Sequence, residues 1–240
     1  RLAYENQIDL NQPLSDYFPE LTGSIENADK ITLRMMVQHR SGIPNFTDNP
    51  DYWKNQPNTN IDVLTYALHL PAEFEPNKDY GYSNTNYLLL SRVIEQVSGG
   101  SRQDYFKQEI LIPLGLNHTY GSLSEVNIDA VMSGYYVDVD EDFKYEENGM
   151  MLATAADVGT FLRALNNGTL LNEQEMEIYT SLYKFNHGGL AAGYQCLAEY
   201  HKDIDAVVVQ FMNTTDFEGY QWNLLQITHS RVVKILRKEK

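Results

Sequence analysis

A single cysteine, Cys196, stands in the whole chain, which excludes an internal disulfide and any multi-cysteine metal site. No run of 18 uncharged apolar residues occurs, so no segment reads as a membrane-spanning helix. Basic residues are scarce: 18 Lys and Arg stand against 33 Asp and Glu, for a formal net charge of −15. Phosphate backbones need clustered cations, so nucleic acid is not an expected partner. The one concentrated basic stretch, residues 231–240, reads as the cationic end of a helix, where the macrodipole favours positive charge. The six histidines show no ligand spacing such as His-Glu-x-x-His. An initiating Met and a signal peptide are also missing. "RLAYENQIDL" opens as though partway through a helix, with Leu2, Ala3, Ile8 and Leu10 at a helix end and the turn after it. The expectation is a piece of a longer chain.

What is present suffices for a sizeable core, in one large domain or two lobes sharing a cleft. "NQPLSDYFPEL", with two prolines, reads as a surface loop with apolar pegs. Thr32 is the expected N-cap of a helix over 33–39, stopped by Ser41-Gly42 with Pro44 beyond. Further helices are expected over 61–70, closed by Pro71, over 84–97, closed by Ser98-Gly99-Gly100, and over 101–116, ended by Pro113 and Gly115. "SGYYVDVDEDFKY" alternates and reads as an extended excursion. Thr154 caps a helix that carries Val158, Phe161, Leu162 and Leu165 on one face and ends at Gly168. "EQEMEIYTSLY" adds a helical turn or two. "HGGLAAGYQCLAEY" and "DAVVVQFMN" are β-rich, split by the turn "HKDID", and an amphipathic helix over 222–236 completes the chain. Helices, then antiparallel strands, then one helix is an α+β order rather than a βαβ alternation. The expected organisation is a single domain over 1–240, with a mostly helical region 1–182 and sheet strands plus a helix over 183–240.

"YGYSNTNYLLLSRVIEQVSGG" places three hydrogen-bonding side chains, Tyr82, Ser83 and Asn84, at the start of a core helix. One reading makes Ser83 or Asn84 a simple N-cap and Tyr82 a packed aromatic among 17 tyrosines. The other comes from resemblance. "ITLRMMVQHRSGIPNF" resembles the T-x-x-x-L-L-x-H-x-S-G-L helix of the serine β-lactamase and penicillin-binding-protein superfamily, in its class C and D-alanyl-D-alanine carboxypeptidase-like branch. "FEPNKDYGYSNTNYLLLSRVIEQVSG" resembles the segment of that branch that carries Tyr-x-Asn, and "LAYENQIDL", "PLGLNHTYG" and "ATAADVGTFL" have counterparts in the same order. The resemblance runs over nearly the whole chain.

It implies a β-lactamase/transpeptidase-like fold and roles for particular residues. Tyr82 would be a base or proton relay for a serine nucleophile, helped toward the phenolate by nearby cations, and Asn84 would hold the amide of the bound substrate. His187-Gly188-Gly189 stands where the family has Lys-Thr-Gly or His-x-Gly. A cation at His187 would attract a substrate carboxylate, Gly189 would let the substrate backbone lie close, and the Leu190 backbone N–H would donate into an oxyanion hole. The rival for this segment is a histidine in a glycine turn. Tyr82 and His187 are expected to face one groove.

The family's Ser-x-x-Lys helix is missing. Ser181-Leu182-Tyr183-Lys184 has the spacing but lies just before the third motif, so it is read as coincidence. The nucleophile is expected outside this chain, about a dozen residues before Arg1, with two N-terminal strands also missing. Removing a central helix exposes apolar neighbours at ~1.5–3 kcal/mol each, against a net stability of ~5–15 kcal/mol, and an unpaired sheet edge adds to the problem. The piece is therefore expected not to stand alone: a missing N-terminal segment accompanies it, another chain complements it, or the sequence leaves out disordered stretches.

Other signals carry less. Asp138, Asp140 and Asp142 imitate the start of an EF-hand loop, but Phe143 replaces its glycine and Gly149 its final glutamate, so calcium is not expected. Met35, Met36, Met150 and Met151 read as core filler, and His39 as structural, bonding a nearby carbonyl. The resemblance implies a serine acyl-hydrolase acting through an acyl-enzyme on D-Ala-D-Ala peptides, β-lactams or esters, with this piece alone inactive and no cofactor or metal required. The alternative is a catalytically inactive cell-wall peptide sensor of the same fold. The expected partner is a small molecule or peptidoglycan peptide, and the expected location is periplasmic, cell-surface or secreted.

Overall fold

The structure, a computed structural model, describes residues 1–54, 62–146, 151–183, 187–216 and 220–239. Ile61, Gly149, Met150 and Lys184 lie outside the described residues. Contacts divide the chain into two units, residues 1–105 with 174–183, and residues 106–173 with 184–240.

The first unit packs helices α1 (Leu14–Tyr17), α2 (Leu33–Val37) and α3 (Asn84–Ser98) around one apolar cluster. Leu14, Ile31, Leu33, Met36, Leu89 and Val93 are its most buried members, each contributing about 1.5–3 kcal/mol through lost water contact. The stretch expected as a surface loop is helical instead. Leu14, Phe18 and Leu21 recur at helical spacing, so α1 and the 3-10 turn Pro19–Leu21 turn all three into the core. Thr32 caps α2 as expected, its Oγ1 accepting the Met35 N–H at 3.3 Å. α3 ends where Gly99 takes a left-handed φ of 70°, which glycine adopts without steric cost.

The helix expected over 61–70 is only a 3-10 turn, Val63–Tyr66. Val63, Thr65 and Tyr66 are poor helix formers, and the His69 N–H is taken by the Ser24 carbonyl at 2.7 Å rather than by a helical partner. The helix expected over 101–116 changes type along its length. α-helical Arg102–Phe106 widens into a π-helical segment, Lys107–Leu111, before the α-turn Ile112–Leu114. Pro113 has no N–H to give and its ring crowds the preceding turn, which accounts for the widening.

In the second unit, β1 (His187–Ala191), β2 (Tyr194–His201) and β3 (Ala206–Met212) form an antiparallel sheet in the order β1-β2-β3. Helices α4 (Ala155–Asn166) and α6 (Tyr220–Leu236) both pack on β2 and β3. Strand side chains alternate between faces. Gly159 of α4 lies over Val209, whereas His229 of α6 meets Glu199, so the two helices cover opposite faces. Thr154 caps α4 by accepting the Asp157 N–H, and the Asp157 carboxylate accepts from the His118 N–H at 2.8 Å and the Thr119 hydroxyl at 2.9 Å.

The alternating segment is extended only at Tyr135–Tyr136, which pairs in parallel with Thr214–Thr215. Asp138 then turns with φ 63°, and Asp142 caps the next turn by accepting the Gly134 and Lys144 amides. α5 (Glu173–Leu182) is a ten-residue helix, longer than the turn or two expected. Met36 is core, but Met151 is 44% exposed and fills no core space. No described helix is long and apolar enough to cross a membrane.

Candidate active site

The tripeptide at the start of α3 divides by direction. Ser83 occupies the N-cap position in extended conformation yet makes no side-chain cap bond. Its hydroxyl donates to the Pro44 carbonyl at 3.3 Å, and its N–H donates to His39 Nδ1 at 3.1 Å. Thr85 donates to the same Pro44 carbonyl at 2.7 Å and accepts the Phe46 N–H at 3.0 Å. Asn86 accepts the Ser41 hydroxyl at 2.7 Å. Ser83, Thr85 and Asn86 are fully buried, so these polar side chains latch α3 to the loop that follows α2. Buried polar groups persist where every partner is supplied, as here.

Tyr82 and Asn84 face the other way. Tyr82 is 56% exposed, and its phenol donates to Asn84 Oδ1 at 3.3 Å. The Asn84 carboxamide is held from behind: its Nδ2 donates to Asn45 Oδ1 at 3.2 Å and Thr47 Oγ1 at 3.3 Å, and its backbone N–H donates to Asn45 Oδ1 at 3.0 Å. That network assigns the amide orientation, with Oδ1 toward the phenol. Asn45 is in turn fixed by Thr47 and Asp48, at 2.7 and 3.0 Å. The simple N-cap reading therefore does not describe Asn84, which is the first helical residue and spends its side chain on Tyr82, Asn45 and Thr47.

His39 backs the phenol. Its ring lies 4.4 Å from the Tyr82 ring and stacks 5.1 Å from Tyr87. Because Nδ1 accepts the Ser83 amide, the imidazole here is the neutral tautomer with its proton on Nε2. The residue takes a left-handed φ of 54°, and its own carbonyl accepts the Gly81 N–H at 3.0 Å. The next turn needs Gly42, since a Cβ there would sit 2.0 Å from the Phe74 carbonyl oxygen. Nothing in "PNFTD" marks Asn45 and Thr47 as site residues, because their partners lie some forty residues on.

The protonation of Tyr82 differs from expectation. Desolvation, with the neighbouring Tyr80 phenol, raises its pKa above the ordinary tyrosine value. The residues around it hold the phenol rather than the phenolate.

In the second unit, His187, Gly189 and Leu190 lie on β1, paired with Ala198, Cys196 and Gln195 of β2. Desolvation lowers the His187 pKa, so at neutral pH the ring is uncharged, not the cation expected. Gly189 has a reason within the fold, because a Cβ there would lie 2.8 Å from Cys196 Sγ across the strands. His187 stands in a strand, not in a glycine turn. Leu190 is 52% exposed. Ser181 lies in the last turn of α5, with its hydroxyl donating to the Ile178 carbonyl at 2.7 Å and accepting from Arg34 at 3.2 Å.

A family model described as Beta-lactamase matches residues 1–197, and the chain belongs to that family. It is 29% identical over 211 residues to a penicillin-binding protein of Bacillus subtilis (strain 168), covering 78% of this chain and 44% of that protein. It is also 29% identical over 133 residues to a Salmonella agona (strain SL483) protein provisionally named a D-alanyl-D-alanine carboxypeptidase, covering 50% of this chain and 29% of that one. The chain thus spans less than half the length of these curated relatives. Among solved structures, the D-amino acid amidase from Ochrobactrum anthropi SV3 superposes with a TM-score of 0.82 at 20% identity, over 99% of this chain and 79% of that one. A penicillin-binding protein from Bacillus halodurans gives 0.78 at 20% identity, over 98% and 81%. At these identities the likeness establishes the α+β fold of this family and no more.

Proposed function

We propose that the protein containing this chain is a serine acyl-hydrolase. It acts outside the cytoplasm on small acyl substrates: D-Ala-D-Ala peptides of peptidoglycan, β-lactams, or simple esters. The observation that carries this reading is the exposed Tyr82 phenol held against a carboxamide whose orientation is fixed. The serine is supplied by residues other than these 240, because the only Ser-x-x-Lys spacing within them starts at Ser181.

The serine oxygen attacks the acyl carbon, the bond to the leaving group breaks, and the serine proton ends on that leaving group. Water then attacks the acyl-serine and restores the hydroxyl. Tyr82, kept as the phenol, fits a relay that accepts one proton as it donates its own. Asn84 orients that phenol and offers Oδ1 to a substrate N–H. On β1, neutral His187 fits a donor to a substrate carboxylate, and the Leu190 N–H fits a donor to an oxyanion. Names of relatives support the hydrolase reading, since they include a D-amino acid amidase and a provisionally named carboxypeptidase.

The test assays the full-length protein on a D-Ala-D-Ala peptide, a chromogenic cephalosporin and a nitrophenyl ester. Turnover of at least one, abolished when the Ser-x-x-Lys serine is replaced by alanine, is the expected result. No turnover and no acylation by any of them would leave a peptide-binding sensor.

A further inference from the structure

The buried stripe of α6 is Leu225, His229 and Val233, one residue per helical turn along the face that meets the sheet. The middle position is an imidazole only 3% exposed, and neither of its nitrogens has a hydrogen-bond partner. A buried imidazole whose nitrogens complete no hydrogen bond costs free energy that a leucine there would not. Beneath it, Glu199 and His201 stand two apart on β2 and share the face that α6 covers. His201 Nε2 is likewise buried and completes no hydrogen bond among the described residues.

These three side chains converge. The Glu199 carboxylate lies 3.3 Å from His229 Nε2 and 3.6 Å from His201 Nε2, and one donor atom from each residue lies within 4.8 Å of the others. Zinc bonds of about 2.0–2.2 Å in tetrahedral array put neighbouring donors roughly 3.3–3.6 Å apart. Two imidazoles and one carboxylate are a borderline-soft set that suits a first-row divalent ion, with one position left open. Arg237, whose charge acts on His201, is already committed to Asp203 at 2.7 Å. His187 pairs with Ala198, so its side chain stands on the opposite sheet face.

We propose that Glu199, His201 and His229 bind a divalent transition-metal ion, zinc by preference, which clamps α6 to β2. This departs from the sequence-based expectation of no metal. His229 is remote in the chain from Glu199 and His201, and only the packing of α6 on β2 brings it to them.

The test is titration of chelator-stripped full-length protein with Zn(II) by calorimetry in a non-coordinating buffer. Co(II) absorption serves as a second reading, and Tm as a third. One equivalent should bind, Co(II) should develop the visible bands of a low-coordinate site, and Tm should rise by about 5–10 °C at a hundredfold excess over Kd. His201→Gln should weaken binding at least ~100-fold. His229→Leu should do the same while completing the apolar stripe, so that the fold persists without metal. Binding that survives both substitutions, or a wild-type Tm indifferent to Zn(II), would overturn the proposal.

Discussion

The His39 and Tyr82 rings lie 4.4 Å apart, tilted by 30°, with the His39 Nδ1 tied at 3.1 Å to the amide of Ser83. One buried side chain therefore fixes both the backbone at the start of α3 and the face of the phenol above it. Replacing His39 by alanine leaves the buried Ser83 N–H unpartnered and opens space beneath Tyr82. The expected loss is about 2–4 kcal/mol of stability, read from urea unfolding. A loss under about 0.5 kcal/mol would mean that the ring does not hold this corner.

Tyr82→Phe should behave oppositely. The phenol is exposed and its bond to Asn84 is at 3.3 Å, so stability should change by less than about 1 kcal/mol. Hydrolysis by the full-length protein should fall about 10²–10⁴-fold in kcat/KM. Equal activity in the two proteins would remove Tyr82 from the reaction.

Gly189 and Cys196 form a packed cross-strand pair. Gly189→Ala should cost about 1–3 kcal/mol, because its Cβ meets Sγ at 2.8 Å. In the Cys196→Ala background most of that cost should vanish. A coupling near zero in the double-mutant cycle would show that the glycine is needed for another reason.

His187 gives a pH prediction. Its folded pKa lies below the unfolded value of about 6.5. Between the two values the unfolded chain binds more protons, so this residue makes stability rise with pH through that window and adds no slope above about 6.5. His187→Gln should flatten the acid side of the Tm-against-pH curve. An NMR titration midpoint for His187 above about 6.5 would contradict the assignment.

Much of the fold was legible, for local reasons. Thr32 and Thr154 cap helices, Gly99 and Gly168 end them, and the β-rich stretches after His187 form strands. Two of the departures trace to partners remote in sequence, whereas the widening before Ile112 has a local cause in Pro113. Residues 61–70 look helical until the Ser24 carbonyl claims the His69 amide. Residues 11–21 look like loop until Leu14, Phe18 and Leu21 find the core.

The candidate site divides the same way. Tyr82 and Asn84 were visible through a motif. Asn45, Thr47 and the stacking role of His39 were not, since nothing in "QHRSGIPNFT" announces the residues it meets some forty positions later. The charge states of Tyr82 and His187 depend on desolvation, which no spacing encodes.

The most direct measurement is mass-spectrometric mapping of the residue acylated when the full-length protein is trapped with a fluorophosphonate or a penicillin. The serine of a Ser-x-x-Lys motif other than the one at 181–184 should carry the label, and Tyr82→Phe should slow its formation. Label on Ser181, or none from either reagent, would contradict the account.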